Sequence, residues 1–156
     1  MSIFESASLK LLRLSNPEFA HNVAIKALNL GLVPKPKTSV FENLKTSICG
    51  LELDSPVGLA AGFDKNAEVM NKVHFLNFGF TEVGTITPMP QHGNSKPRIF
   101  RLEKDKAIIN RNGFNNLGML EAKKKLEHYR KKFPVGSNFL VGINIGPNKD
   151  SKDRFS

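Results

Sequence analysis

An α/β domain built on a parallel sheet is what this sequence predicts, on three observations. Val57–Ala61 reads as a buried strand, Ala67–Phe78 as a helix and Phe80–Thr87 as a second strand. Strand, helix and strand within about thirty residues make a βαβ unit, and its right-handed crossover implies parallel pairing. The pattern then recurs, with a strongly basic helix over Leu117–Lys132 and a third strand over Phe139–Asn144. Finally, the first strand runs into LAAGFDKN, Leu59–Asn66, where small residues give way to a charged pair. Small residues at a strand end leave bare backbone on which a flat ligand can lie. Lys65 can reach back over such a ligand with its charge. The plainer alternative is a strand-to-helix turn with Asn66 as N-cap.

The elements follow in order. Residues 2–14 place Ile3, Phe4, Ala7, Leu11, Leu12 and Leu14 at helical spacing. Asn16 as N-cap, Pro17 at the first helical position and Glu18 in the first turn then start a second helix, which runs to Gly31. Its apolar face is predicted to be Phe19, Ala20, Val23, Ala24, Ala27 and Leu28, with His21 elsewhere on the wheel. Two short amphipathic helices suit a hairpin packed on the domain, or a patch resting in a membrane interface. The stiff VPKPK run at Val33–Lys37 divides the chain into a helical segment, 1–36, and a sheet domain, 37–156. Ser47–Leu53 alternates around Gly50 and reads as a small hairpin. Gly79 is expected to cap the helix before it. After the turn-rich loop Pro88–Pro97, Arg98–Leu102 and Ala107–Ile109 look like paired strands. Leu120, Leu126 and Tyr129 are the expected anchors of the basic helix.

Composition narrows the partners. Lys and Arg number 23 against 14 Asp and Glu, a formal net charge of +9, which suits an anionic partner. The aromatics are twelve Phe, one Tyr and no Trp, and no nucleic-acid motif is readable among them. One cysteine, Cys49, excludes an intrachain disulfide and points to a reducing compartment. Its place in an alternating run assigns it a buried structural role. No apolar stretch reaches the ~18 residues that span a bilayer, and the N-terminus lacks a signal peptide's pattern. The four histidines are scattered, so no metal site is expected, and no Ser-His-Asp arrangement is readable.

Chemistry is expected at one edge of the sheet. Asp64-Lys65-Asn66, Thr85 with Thr87, Asn110–Asn116 and Asn144 with Asn148-Lys149 all follow or end strands. Strand C-termini in a parallel sheet share an edge, so these groups converge there. Amides, hydroxyls and a lysine suit a planar heterocycle with carbonyl and N–H groups and a negative charge. The run NRNGFNN at Asn110–Asn116 reads as a ligand loop, with Gly113 permitting a tight turn and Phe114 as its apolar flank. Three βα units are either a small open domain or the front of something larger, since a closed barrel needs eight in ~250 residues.

Four stretches together carry a resemblance: LAAGFDKN (Leu59–Asn66), EVGTITPMPQHGNSKPRIFRL (Glu82–Leu102), INRNGFNNLG (Ile109–Gly118) and GINIGPNKD (Gly142–Asp150). They resemble class 2 dihydroorotate dehydrogenase, the membrane-associated, quinone-linked flavoenzyme of pyrimidine synthesis. The likeness covers nearly the whole chain in order, including the two N-terminal helices. It implies a (β/α)8 TIM barrel with FMN at its mouth, of which this chain is the N-terminal part preceded by two short amphipathic helices. It implies oxidation of dihydroorotate to orotate, in which a base takes the C5 proton and hydride leaves C6 for the flavin. Electrons then pass to ubiquinone or another membrane quinone through the N-terminal helices.

Carried over by position, Ala61, Gly62, Phe63, Asp64, Lys65, Thr85 and Asn144 hold FMN. Lys65, Asn110, Arg111, Asn112, Gly113 and Phe114 meet the substrate, and His21 and Arg101 line the quinone passage. The resemblance also implies peripheral association with the cytoplasmic face of the inner (cell) membrane, or with the mitochondrial inner membrane. It implies no nucleic-acid partner. Two departures stand out. Asn112 falls where the family usually has an apolar or aromatic residue. The chain also stops before the family's serine base, later asparagines, second lysine and phosphate loops, so 156 residues alone are expected to be inactive. Two rival readings remain. One is a different flavin barrel, such as a dihydropyrimidine or dihydrouridine oxidoreductase, against which the helices and NRNGF argue. The other is a non-catalytic half-barrel that binds an anionic nucleotide or membrane surface through its +9 charge.

Overall fold

The computed structural model describes residues 10–33, 42–134 and 139–152. The start of the first predicted helix and most of the VPKPK run lie outside them. Residues 10–14 are helical, and helix α1 (Pro17–Asn29) follows. Its N-cap is Asn16, whose Oδ1 accepts from the N–H groups of Glu18 (3.0 Å) and Phe19 (3.2 Å), as the sequence predicts. The buried face differs from the prediction. Ile25 and Leu28 are buried against Val69 and Val73, whereas Phe19 is 61% exposed. Leu28 is buried as predicted and Ile25, at helical spacing from it, takes the place of Phe19, while Ala20, Ala24 and Ala27 are half-buried.

Strands β1 (Thr46–Ile48) and β2 (Leu51–Leu53) form the expected hairpin. Cys49 (φ 52°) and Gly50 (φ 77°) make its two-residue turn with both residues left-handed, which matches the twist of the flanking strands. Cys49 is exposed, not buried, because a tight turn points its central side chains outward. Strand β3 (Gly58–Asp64) is longer than predicted and ends at the charged pair.

The helix expected over Ala67–Phe78 shrinks to α2 (Met70–Val73) and a 3₁₀ turn at His74–Leu76. Ala67 is left-handed at φ 56°, which breaks any helix there. Asp64, not Asn66, holds the turn before the helix: its Oδ1 accepts from Glu68 N–H (2.7 Å) and its Oδ2 from Val69 N–H (2.9 Å). At the far end Asn77 (φ 64°) makes the left-handed turn that Gly79 was expected to make. Gly79 has another reason to be there. A Cβ at that position would stand 1.9 Å from the Ser55 carbonyl oxygen.

Strand β4 (Phe80–Ile86) pairs parallel with β3, and β7 (Leu140–Ile145) pairs parallel with β4, giving the order β3-β4-β7. Between them come the antiparallel hairpin β5 (Ile99–Leu102) and β6 (Ala107–Asn110), and helix α3 (Met119–Lys132). Helix α3 is anchored by Ala122 and Tyr129 with Leu126 beside them, while Leu120 is 69% exposed. Met70, Val83 and Ile86 complete that core cluster.

Two arginines of the β5 segment hold the N-terminal helices. Arg98, only 6% exposed, grips Glu18 of α1 through Nε (3.2 Å to Oε2) and Nη2 (2.5 Å to Oε1). Its Nη1 donates to the carbonyls of His92 (2.6 Å) and Asn94 (3.1 Å). Arg101 donates to the carbonyls of Leu12, Arg13 and Ser15, at 3.1, 2.8 and 2.6 Å, where the first helix ends. Carbonyls at a helix C-terminus lack intrahelical partners and carry partial negative charge, so a guanidinium satisfies both needs.

Two outcomes check this packing. Gly79→Ala is expected to cost about 1–3 kcal/mol, because the added methyl meets backbone that cannot swing aside. An unchanged urea midpoint would contradict the close approach. The second concerns pH. The bond to Arg98 holds the Glu18 carboxyl below its ordinary value of 4.5, against the opposing effect of burial. The unfolded chain therefore takes up a proton first as pH falls. The stability from the pair is whole above pH 4.5 and is lost as pH drops through the folded value. Glu18→Gln should flatten the loss of stability between roughly pH 5 and pH 3. Identical slopes for the two proteins would show that the pair does not titrate with folding.

Candidate functional site

The C-terminal end of β3 is bare and then abruptly charged. Gly62 sits at φ 104° with open space where a Cβ would point, so its backbone is uncovered. Lys65 curls back over the strand, donating from Nζ to the Gly62 carbonyl at 2.6 Å. The same Nζ lies 3.3 Å from Nε2 of His21. An ammonium has no acceptor, so His21 Nε2 must be the unprotonated nitrogen of a neutral imidazole. Its environment agrees: burial, then the Lys65 charge, lowers the His21 pKa. Burial lowers that of Lys65 too, with Glu18 pulling the other way. The His21 ring also stands edge-on to Phe63, centroids 5.4 Å apart.

Asp64 is spoken for. It is 1% exposed, and both its oxygens serve the turn that launches α2. Burial raises its pKa, while the Glu68 and Val69 N–H bonds oppose that rise. Its side chain thus orients its neighbour Lys65 and is not turned toward a ligand. Thr85 on β4 and Asn144 on β7 meet as neighbours, Thr85 Oγ1 donating to Asn144 Oδ1 at 3.3 Å. Gly84 makes this approach possible, since a Cβ there would lie 2.5 Å from the Asn144 carbonyl oxygen.

The loop after β6 is held by its surroundings. Asn110 Oδ1 accepts from the Asn112 N–H (3.4 Å) and Nδ2 (3.2 Å). Arg111 turns away, donating to the Pro97 carbonyl at 3.3 and 3.1 Å and lying 5.9 Å from the Phe100 ring centroid. Gly113 (φ 70°) and Phe114 (φ 52°) are consecutive left-handed residues. Two residues that the sequence reading passed over, Asn94 and Gln91, brace this loop together with Asn116 at its end. Asn116 accepts from Thr87 and Gly118 N–H and donates to Thr87 Oγ1 and the Phe114 carbonyl. Asn94 takes Arg111 O (2.7 Å) with its side chain and Asn112 O (3.0 Å) with its N–H. Gln91 reaches Gly113 O at 3.0 Å. Their only signal in the sequence is a turn-rich run, which says nothing of what the side chains grip.

The expected convergence holds in part. Phe63 and Lys65 from β3, Asn112 and Asn115 from the loop, and His21 and Glu18 from α1 line one cavity of about 200 Å³. The Oδ1 atoms of Asn112 and Asn115 are buried without a partner. Arg101 is not among the residues lining this cavity. A larger recess of about 1190 Å³ opens between the loops after β4 and β7, lined by Thr87, Gln91, Met119, Ile145, Asn148 and Lys149 among others. The sheet edge is shared, yet its polar groups fall into two recesses. Together they offer an ammonium, a neutral imidazole, amides and uncovered backbone, a set that binds and orients a flat anionic ring.

Comparison with known proteins identifies the family of the chain. A family model described as dihydroorotate dehydrogenase matches residues 43–156. Dihydroorotate dehydrogenase (quinone) of Mesorhizobium japonicum is 49% identical over 154 residues, covering 99% of this chain and 42% of the relative. That of Bartonella henselae is 51% identical over 154 residues, covering 99% and 41%. The crystal structure of DHODH from Eimeria tenella in complex with ferulenol superposes with a TM-score of 0.82 at 46% identity. It covers 88% of this chain and 38% of its own. The chain therefore spans about two fifths of the length of these relatives, and it belongs to the dihydroorotate dehydrogenase family.

Proposed function

We propose that the whole protein oxidises (S)-dihydroorotate to orotate, with FMN as its prosthetic group and a membrane quinone as electron acceptor, in pyrimidine (UMP) synthesis. The observation that carries this reading is the shared cavity, where Lys65, the Asn110–Phe114 loop and the N-terminal helix meet. Substrate side and quinone side then touch the same lysine. The fold is a (β/α)8 barrel, with β3, β4 and β7 as adjacent strands. Ile143 and Ile145 on β7 stand exposed, as they would before a further strand and helix covered them.

The residues present fit FMN. Uncovered backbone at Gly62, with the small side chain of Ala61 before it, accepts a flat ring, flanked by Phe63, and Asp64 fixes the turn that aims Lys65. Thr85 and Asn144 supply a hydroxyl and an amide on neighbouring strands. FMN supplies the hydride acceptor that oxidation of the C5–C6 bond requires. The Lys65 ammonium offsets negative charge on the ring and on the substrate carboxylate. Asn110 and Asn112 match the imide edge of orotate, and Gly113 and Phe114 contribute backbone and an apolar wall. Arg111 shapes the loop through Pro97 rather than by direct charge.

Residues 1–36 form the quinone-side segment and 37–156 the front of the barrel. His21 faces the cavity, and Arg101 sets the end of the first helix. No described helix is long and apolar enough to cross a membrane. Leu11, Leu14, Phe19, Leu30 and Leu32 are all exposed, which supports peripheral seating in an interface. The seat is the cytoplasmic face of the cell membrane, or the mitochondrial inner membrane.

Lys65→Ala in the full-length protein should weaken orotate binding about ten- to a hundredfold, since a hydrogen bond to a charged group is worth about 1.5–3 kcal/mol. Calorimetric affinity within twofold of the parent would remove Lys65 from the site. Replacing Leu11, Leu14 and Phe19 together by Gln should release the protein from phospholipid vesicles and abolish reduction of a membrane quinone. Dihydroorotate should still bleach the flavin in one turnover. Undiminished vesicle binding would place the membrane contact elsewhere.

A further inference from the structure

Gln91 lies outside the residues assigned above, yet its side chain bridges both neighbouring loops. Nε2 donates to the Gly113 carbonyl (3.0 Å) and lies 3.5 Å from that of Phe114. Oε1 accepts from the Lys149 N–H (2.7 Å) and from Asn148 Nδ2 (3.3 Å). The two halves of the amide therefore serve the loop after β6 and the loop after β7. The orientation is not arbitrary. A backbone N–H at Lys149 requires the oxygen on its side, so the NH₂ group must face Gly113.

The grip falls on the two residues that most need it. Gly113 and Phe114 are the consecutive left-handed pair, and a phenylalanine at φ 52° holds that conformation only when its surroundings over-determine it. The carbonyls that Nε2 faces belong to these two residues. Gln91 is itself fixed by main chain alone: its N–H and carbonyl pair with those of Asn116, both at 2.9 Å. Changing the side chain leaves that bridge in place, so the clasp can be removed without unpairing Gln91 from Asn116.

We propose that Gln91 is a positioning residue for the substrate loop, clasping the Gly113–Phe114 turn and tying it to the loop after β7. The role rests on the reading of Asn110–Phe114 as the orotate loop. The clasp does not touch substrate. It acts by keeping the loop in its binding shape before substrate arrives, so that binding need not order it.

Two variants of the full-length protein separate the halves of the amide. Gln91→Ala loses both, whereas Gln91→Glu keeps the acceptor for Lys149 N–H and loses the donor to Gly113 at nearly equal volume. Both should weaken orotate and raise KM for dihydroorotate about three- to tenfold, the worth of one hydrogen bond. KM for quinone should stay as in the parent, and kcat should fall much less than the KM for dihydroorotate rises. Amide hydrogen exchange should quicken across residues 112–116 and not in β3. Gln91→Glu within twofold of the parent in orotate affinity would overturn the proposal, as would equal changes in both KM values. If the parent itself binds no orotate, the functional reading falls and exchange decides the clasp. Faster exchange confined to residues 112–116 in Gln91→Glu upholds it, and unchanged protection overturns it.

Discussion

Asp64 ends the first strand of the parallel sheet with its carboxylate buried and its two oxygens on the N–H groups of Glu68 and Val69. A buried carboxylate without a cation is costly, and here two charge-assisted bonds offset the cost. That arrangement sets the turn of residues 64–69, and with it the direction of Lys65 on one side and the start of α2 on the other. Val69, the residue whose N–H it takes, is also fully buried in the cluster that receives Ile25 and Leu28 of α1. One side chain thus fixes both the lysine of the site and the seat of the N-terminal helix. Removing its oxygens would strand the buried Val69 N–H and the half-buried Glu68 N–H, so the position tolerates little.

The hairpin β5–β6 and the segment before it work as a clamp between halves that are distant in sequence. Arg98 spans from Glu18 in α1 to the carbonyls of His92 and Asn94, and Asn94 in turn holds Arg111 and Asn112. A continuous set of hydrogen bonds therefore runs from the N-terminal helix to the loop after β6. The helix that carries His21 and the loop that carries Asn112 are set by the same guanidinium. This explains how one small cavity comes to be lined from both.

The loops at the sheet's C-terminal edge are polar and short of apolar contacts, so amide side chains brace them instead. Gln91, Asn94, Asn116 and Asn148 each bridge loop segments that lie apart in the sequence. Amides suit this task because they donate and accept at once, matching N–H on one side and carbonyl on the other. The same property makes Asn and Gln candidates for ligand contact. Composition alone cannot separate the bracing amides from the binding ones.

Periodicity and turn chemistry in the sequence were enough to determine the parallel α/β class, the Ser47–Leu53 hairpin around Gly50, the β5–β6 pairing and the Asn16 cap. Each is a local matter of spacing or dihedral preference. The four motif runs Leu59–Asn66, Glu82–Leu102, Ile109–Gly118 and Gly142–Asp150, taken together, were likewise enough to determine the family. Tertiary structure decided what depended on partners remote along the chain. It gave the turn after the strand to Asp64, whose carboxylate takes the N–H groups of Glu68 and Val69, rather than to Asn66. It turned Phe19 and Leu120 outward, because each helix docks on the stripe its neighbour offers rather than on its most apolar one. It gave Gly79 to a close approach by Ser55 and exposed Cys49 at a turn tip. It also set Lys65 against His21, forty-four positions apart, and split the polar edge into two recesses. Side-chain contacts across such distances follow from how the elements pack, and no local pattern encodes them.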